Sequence, residues 1–164
     1  MKKSVLLLVL CLILLLTACS SSATHPNTVM AMTGVDITGC TVISDRNSHG
    51  GFFGEGETTV VFDCSKIAES MEEQTKSWSP LPLSENLQRI MYGDTTDDGS
   101  KAQGLAQKND IPQIENGGYY FVNNQLSGAE AREDAFVLSG TSVNFTLILY
   151  DEDTCRLYYY DIDT

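Results

Sequence analysis

Residues 142–163 read SVNFTLILYDEDTCRLYYYDID, and their apolar residues alternate regularly over the first half of the stretch. Apolar side chains occupy every second position from Val143 to Leu149, which is the pattern of a strand with one face in a core. The acidic run 151–153 then separates this strand from a second, tyrosine-rich one. Two strands joined by a short polar segment predict a β-hairpin, so part of the core is antiparallel.

A first hairpin is predicted near the start of the body. VDITGCTVIS (35–44) and TTVVFDCS (58–65) have strand composition, and the segment between them is rich in glycine. If the tip centres near Phe52, Cys40 falls opposite Cys64, because each lies twelve residues away. Cys40 and Cys64 are therefore a candidate disulfide. The sequence leaves the pairing open, since Cys155 is also present and an odd count leaves one cysteine unpaired.

Two short helices are predicted between the hairpins. The segment 65–78 places apolar residues on one helical face, with Ser65 as a candidate N-cap. The segment 84–93 repeats this pattern, with Ser84 as the cap and Gly93 as the stop signal. Both apolar faces are typical of core packing.

The rest of the body adds one strand and one long loop. Residues 94–110 are polar and contain glycine, which predicts a long surface loop, and residues 117–124 form a third strand-like run. Because hairpins imply antiparallel neighbours, the fold class is α+β. We expect a mainly antiparallel sheet of about five strands, two hairpins plus one strand, with two short helices on one face.

The N-terminus has the pattern of an export signal. Two lysines precede an apolar run that is too short to span a bilayer comfortably. The run ends in LTAC, which resembles the lipobox of bacterial lipoproteins. That resemblance implies a signal peptide over 1–18, a diacylglycerol anchor on Cys19, a flexible tether over 19–33 and a single α+β domain over 34–164. An ordinary secretory peptide in which Cys19 is incidental is the alternative.

The charge of the chain argues against nucleic acid as a partner. The formal net charge is −12, and removal of Lys2 and Lys3 with the leader makes it −14 (−12 − 2). Neutralising phosphates requires a basic patch, and the lysines and arginines left in the body are few and scattered. Acidity of this kind is typical of a solvated surface.

Two motifs resemble cofactor-binding or metal-binding loops, but each lacks a residue that binding requires. GGFFGEGET (50–58) has the glycine spacing of a P-loop, but Glu57 occupies the lysine position and a strand follows. DTTDDG (94–99) resembles the start of a calcium loop, but Leu105 stands where a bidentate glutamate is required. We expect no cofactor, no metal and no catalytic constellation.

The tip of the first hairpin is the candidate contact surface. Phe52 and Phe53 are flanked by glycines and cannot both point into a core from a hairpin end, so one of them is expected to be exposed. His49 lies beside them. The alternative is that both phenylalanines pack back over Trp78.

The body also resembles a family of small uncharacterised secreted or lipoprotein domains of Firmicutes-type bacteria. The matching stretches are SHGGFFGEGETTVVFDCS, WSPLPLSENLQRIMYG, GGYYFV and NFTLILYDEDTCRLYYYDIDT. The resemblance implies one shared α+β domain and carries no functional residues. Phe53 replaces a second tip histidine of such relatives, which argues against a metal held by two histidines.

These observations predict a lipid-anchored module on the extracytoplasmic side of the cell membrane. Its partners would be the membrane, through the lipid, and an envelope protein or small ligand. Whether the chain is an enzyme stays open, with the balance toward a non-enzyme. The alternatives are an envelope-acting hydrolase with paired carboxylates and a purely structural envelope protein.

Overall fold

A computed structural model of the chain describes residues 24–50, 55–94, 103–135, 137–138 and 142–164. The helices are α1 Thr24–Thr33, α2 Ala68–Thr75, α3 Glu85–Tyr92 and α4 Leu105–Lys108, and 3-10 helices span Ser65–Ile67 and Glu130–Arg132. The strands are β1 Thr41–Asn47, β2 Gly56–Asp63, β3 Ser79–Pro80, β4 Gly117–Asn123, β5 Asn144–Asp151 and β6 Arg156–Asp163.

The strands form one antiparallel sheet in the order β1-β2-β6-β5-β4-β3. The predicted α+β class with a mainly antiparallel sheet is therefore confirmed. The sheet has six strands where the sequence predicted about five. The additional strand is β3, whose Ser79 pairs with Tyr119 of β4. The sequence does not predict this strand, because two residues carry no periodicity and the surrounding stretch contains prolines.

The hairpin predicted over 142–163 is confirmed. β5 and β6 pair in continuous register, from Asn144 with Asp163 to Asp151 with Arg156. The turn is held by the buried Asp151, whose carboxylate accepts hydrogen bonds from the backbone N–H groups at 153 and 154 and from the Thr154 hydroxyl. Side-chain acceptance of this kind is ordinary turn chemistry.

In the first hairpin β1 pairs with β2 from Thr41 with Asp63 to Asn47 with Thr58. The register shifts once, between Val42 and Ser44, so Ile43 is an extra residue in a β-bulge. Beyond the first pair, the structure joins Cys40 to Cys64 in a disulfide with an S–S length of 2.04 Å.

Helices lie on both faces of the sheet, and the prediction that they cover one face was wrong. Because neighbouring residues of a strand point to opposite faces, strands buried on both sides support two cores. One core lies between the sheet and the helices α3 and α4. It contains Leu87, Met91 and Ala106 of the helices and Phe121, Phe145, Leu147, Leu149 and Tyr160 of the sheet. The other core lies between the opposite face of the sheet and the helices α1 and α2. It contains Val29 and Met71 of the helices, Phe62, Ile148, Tyr150 and Leu157 of the sheet, and Val35, Ile37 and Trp78 of the connecting segments.

The segment before position 34 also differs from the prediction of a flexible tether. Residues 24–33 form α1, whose Val29 is fully buried in the second core. The Tyr120 hydroxyl donates a hydrogen bond of 2.5 Å to the Met32 carbonyl. The polar composition of this segment concealed these contacts, which depend on a distant strand. Residues 19–23, with Cys19, lie outside the described residues.

The two predicted helices are present, but only one has the predicted cap. The Ser84 hydroxyl accepts a hydrogen bond from the Leu87 N–H, and Gly93 ends α3 with a φ of 84°. Ser65 instead opens a 3-10 helix and makes no side-chain cap. The predicted loop over 94–110 contains α4, whose Ala106 is fully buried, and its residues 95–102 lie outside the described residues.

Candidate functional site

The two edges of the sheet are built differently. β3 closes one edge with two residues, one of which is Pro80. β1 forms the other edge with seven residues, and within the described residues its only strand partner is β2. Short length and proline protect an edge against further pairing, whereas a long unpaired edge can accept another strand. The edge at β1 is therefore the open one.

The open edge carries exposed apolar side chains. Every residue of β1 except Ser44 is exposed. The side chains of Val42 and Ile43 are 43% and 50% exposed, which is unusual for large apolar residues in a sheet whose central strands are buried. Ile43 is the extra residue of the bulge, and the regular part of β1 begins after it, at Ser44. We define the open edge as residues 41–47.

The open edge leads directly into His49, whose ring is fixed by neighbours on three strands, β1, β2 and β6. His49 Nδ1 lies 3.0 Å from the Thr58 hydroxyl and 3.2 Å from Asn47 Oδ1. On the other side of the ring, Nε2 lies 3.9 Å from an Asp161 carboxylate oxygen. These contacts hold the imidazole across β2 and β6 at the base of the hairpin tip.

Asp161 is itself held in place from the next strand. Its carboxylate accepts hydrogen bonds from the Thr146 hydroxyl at 2.6 Å and from the Asn124 amide at 3.4 Å. Thr58, Asp161 and Thr146 lie directly opposite one another on β2, β6 and β5. The row of polar side chains therefore crosses three strands on one face of the sheet.

The Thr58 hydroxyl, the His49 imidazole and the Asp161 carboxylate lie in a row, as the groups of a catalytic triad do. Their exposure and distances decide whether the hydroxyl could act as a nucleophile. Thr58 is only 6% exposed, and the separation between His49 and Asp161 exceeds a hydrogen bond. A nucleophile must reach a substrate carbonyl, which a hydroxyl buried within the sheet does not. The arrangement suits a structural brace.

A second polar network lies on the opposite face at the same end of the sheet. Glu57 accepts hydrogen bonds from the Asn109 amide at 2.7 Å and from the Tyr160 hydroxyl at 3.2 Å. Burial first, and then the charge of Glu57, raise the pKa of Tyr160. Asn109 Oδ1 accepts from the Thr59 hydroxyl at 2.9 Å, and the Asn109 carbonyl accepts from the Arg46 guanidinium at 2.8 Å. The hairpin base is thus fixed from both faces.

The residues predicted for the contact surface have different outcomes. His49 lies at the base of the tip as described above. Phe52 and Phe53 lie outside the described residues, as does Cys19. Glu57, which argues against a P-loop, is engaged in the network with Asn109. Sequence reasoning missed Val42 and Ile43, although an apolar pair in a strand bounded by polar residues is a signal that could have found them.

Acidic side chains could form a metal site or a pair of catalytic carboxylates. The described residues contain no group of three or more His, Cys, Asp or Glu side chains placed to hold a metal ion. A cavity of about 410 Å³ beside the last hairpin is lined by Glu115, Asp151 and Asp153 among others. Each of these three carboxylates accepts a hydrogen bond within the chain, from Gln113, Thr154 and Asn116 respectively.

No helix among the described residues combines the length and apolar character needed to cross a bilayer. Comparison with known proteins gives no match: no family model, no curated protein and no solved structure matches the chain. The lipoprotein resemblance and the family resemblance of the body remain predictions.

Proposed function

We propose that the chain is a lipid-anchored module on the extracytoplasmic face of the cell membrane that binds an envelope protein. The contact surface is the open edge together with the hairpin tip that follows it. The partner contributes an extended segment that adds to the sheet next to β1. In this mode the main-chain hydrogen bonds provide affinity and the side chains provide specificity.

The observation that carries this proposal is the contrast between the two edges. The short β3 with Pro80 cannot extend the sheet, whereas β1 presents a long exposed strand with Val42 and Ile43 at its start. Pairing with a second copy of the chain would require a long, flat edge strand. The bulge at Ile43 twists β1 locally, which disfavours long edge-to-edge pairing and favours a short partner segment.

The anchor rests on the leader rather than on the folded part. Diacylglycerol on Cys19 would hold the module at the membrane, since two acyl chains are needed for stable anchoring. Replacing Cys19 with Ala should abolish incorporation of an alkyne-tagged fatty acid in growing cells. Labelling that persists in this variant would contradict the lipid anchor while leaving the binding proposal in place.

The binding proposal is tested by chemical crosslinking on intact cells followed by mass spectrometry. We expect one envelope protein to crosslink to the wild type and to be lost from the V42K/I43K variant. Leu138→Lys is the matched control, because Leu138 is a similarly exposed apolar residue, at 42%, outside the open edge. Equal crosslinking in all three chains would rule out the open edge as the contact surface.

Two further results separate the alternatives. Loss of the partner in a Phe52→Ala, Phe53→Ala double variant would extend the surface to the tip. Crosslinks only between copies of the chain would replace the partner with self-association. If no protein crosslinks to the wild type, the binding proposal fails, and a small ligand, a carboxylate-dependent hydrolase or a purely structural role takes its place.

A further inference from the structure

The three cysteines of the body lie side by side across three neighbouring strands. One position beyond the last paired residues of β1, β2 and β6 are Cys40, Cys64 and Cys155. Cys40 and Cys64 form the disulfide, and Cys155 is a half-buried free thiol. The central cysteine therefore has a second cysteine on each side.

The two neighbours of Cys64 differ in backbone geometry. The Cys64 N–H donates a hydrogen bond of 2.9 Å to the carbonyl of Cys155, a turn residue with a φ of 51°, so the two residues face each other just past the end of the β2–β6 ladder. Residues that face each other on antiparallel strands have Cα atoms about 4.5–5.5 Å apart, which overlaps the roughly 4.4–6.8 Å that disulfides span. Cys40 lies on the other side with a Cα separation of 4.3 Å. Cys64 therefore has a cysteine within reach on each side, and in this structure it is bonded to Cys40.

A buried hydroxyl lies near the free thiol. Tyr150 has no solvent exposure, and within the described part of the chain its hydroxyl makes no conventional hydrogen bond. Tyr150 pairs with Leu157 of β6, and Cys155 is the turn residue directly before β6, so the two side chains belong to the same end of the hairpin. Burial first, and then the Cys155 thiol, raise the pKa of Tyr150. The phenol therefore lies close to the Cys155 sulfur, whose thiol contacts the Glu152 carbonyl at 3.8 Å.

We propose that Cys40, Cys64 and Cys155 form a thiol–disulfide exchange centre. The Cys155 thiolate attacks Sγ of Cys64, a Cys64–Cys155 bond forms, and the Cys40–Cys64 bond breaks. Cys40 leaves as a thiolate and takes up a proton equivalent to the one that Cys155 released to solvent. The step is redox-neutral and consumes no oxidant or reductant. Tyr150 is a positioning residue that donates a hydrogen bond to the Cys155 thiolate.

The exchange moves the free thiol from the last hairpin to the start of the open edge. In the first pairing, the disulfide ties β1 covalently to β2. In the second, β2 is tied to β6, and β1 loses its covalent link to the sheet but keeps its backbone pairing with β2 and the contacts of Arg46. Cys40, which is half-buried, then presents a thiol next to β1.

Disulfide mapping of the full-length chain tests the proposal. The chain is incubated in a mixed reduced and oxidised glutathione buffer, quenched with acid and N-ethylmaleimide, and digested without reduction for mass spectrometry. We expect both Cys40–Cys64 and Cys64–Cys155 peptides from the wild type, and only Cys40–Cys64 from Cys155→Ser. Cys40→Ser should give Cys64–Cys155. Absence of the Cys64–Cys155 peptide from the wild type overturns the proposal.

An internal marker distinguishes exchange in the folded chain from scrambling after unfolding. Cys40 and Cys155 are two strands apart, so the folded sheet does not allow them to pair. A Cys40–Cys155 peptide that appears together with Cys64–Cys155 would show that exchange passes through unfolded molecules and would overturn the proposal. Its absence, with Cys64–Cys155 present, supports exchange within the sheet.

The role of Tyr150 has a separate kinetic test. Alkylation of Cys155 by iodoacetamide should slow by about tenfold in Tyr150→Phe, which is near the lower end of what a hydrogen bond to a charged group contributes. Tyr158→Phe is the control, because Tyr158 is also buried but lies in the core on the opposite face. Equal rates in the wild type and Tyr150→Phe would remove the positioning role.

Discussion

The carboxylate of Glu57 and the side-chain amide of Asn109 lie 2.7 Å apart, although 52 residues separate them in the sequence. Glu57 begins β2 just after the hairpin tip, and Asn109 directly follows α4. This contact ties the hairpin base to a segment whose composition predicts a surface loop. The rigidity of the candidate contact surface therefore depends on residues that do not belong to the hairpin.

Replacing Asn109 with Ala should lower the free energy of unfolding by about 2–3 kcal/mol, because the buried Thr59 hydroxyl and the Leu105 carbonyl would lose a partner. Chemical denaturation measures the change. Asn116→Ala is the control: this exposed residue bonds Asp153 at the surface, and we expect a change within about 0.5 kcal/mol. Equal effects of both substitutions would contradict the network.

Ser84→Ala should cost about 1 kcal/mol of stability, since the N-terminus of α3 loses the hydroxyl that accepts from the Leu87 N–H. Ser84 also donates to Asp134, so the loss includes this contact. Ser65→Ala is the comparison, because Ser65 was predicted to cap and does not. We expect it to change stability by less than about 0.5 kcal/mol in the same denaturant titration. The reverse order would contradict the assignment of the caps.

The sequence predicts those parts of the fold that rest on local pattern. The alternation from Val143 to Leu149 identifies the last hairpin, and Ser84 with Gly93 identifies α3. The parts that it misses depend on distant partners. Val29 is buried because a helix packs on the far face of the sheet, and this contact leaves no local periodicity.

The candidate site likewise has one part that the sequence predicts and another that depends on distant contacts. His49 was found from its position in the hairpin tip, whereas its contact with Asp161 requires the pairing of β2 with β6. Asn109 gave no signal, because nothing in a polar, glycine-containing segment indicates which amide will be buried. The open edge also follows from strand order, which the sequence does not determine.

Gly117→Ala should destabilise the chain by more than about 3 kcal/mol, which is the range of backbone strain combined with a steric clash. A Cβ at Gly117 would lie 2.0 Å from the Tyr150 carbonyl oxygen, and its φ of 130° is unfavourable for alanine. Gly128→Ala is the matched control, because its φ is 64° but no atom lies within 4 Å of the added Cβ. It should cost only about 1 kcal/mol. Similar thermal shifts for the two variants would contradict the close approach of β4 to β5.

Stability should fall at alkaline pH as buried tyrosines ionise. Burial, followed by the charge of Asp161, raises the pKa of Tyr159 to about 12, and burial, opposed by a backbone hydrogen bond near Ile114, raises the pKa of Tyr92 to about 12. A tyrosine in the unfolded chain titrates near pH 10, so the folded state favours the protonated phenol. This contribution is complete below pH 10 and is lost as the pH rises toward about 12.

Between those pH values, Tyr159 should account for a loss of up to about 1.4 kcal/mol per pH unit, which denaturant titrations at several alkaline pH values can measure. Tyr159→Phe keeps the ring in the core but removes the ionisable group, so its stability should depend less steeply on pH than that of the wild type. Below pH 10 the variant reports the lost contacts of the hydroxyl, among them the one with Thr146. A variant with the same alkaline slope as the wild type would show that Tyr159 ionises as readily in the folded chain as in the unfolded one.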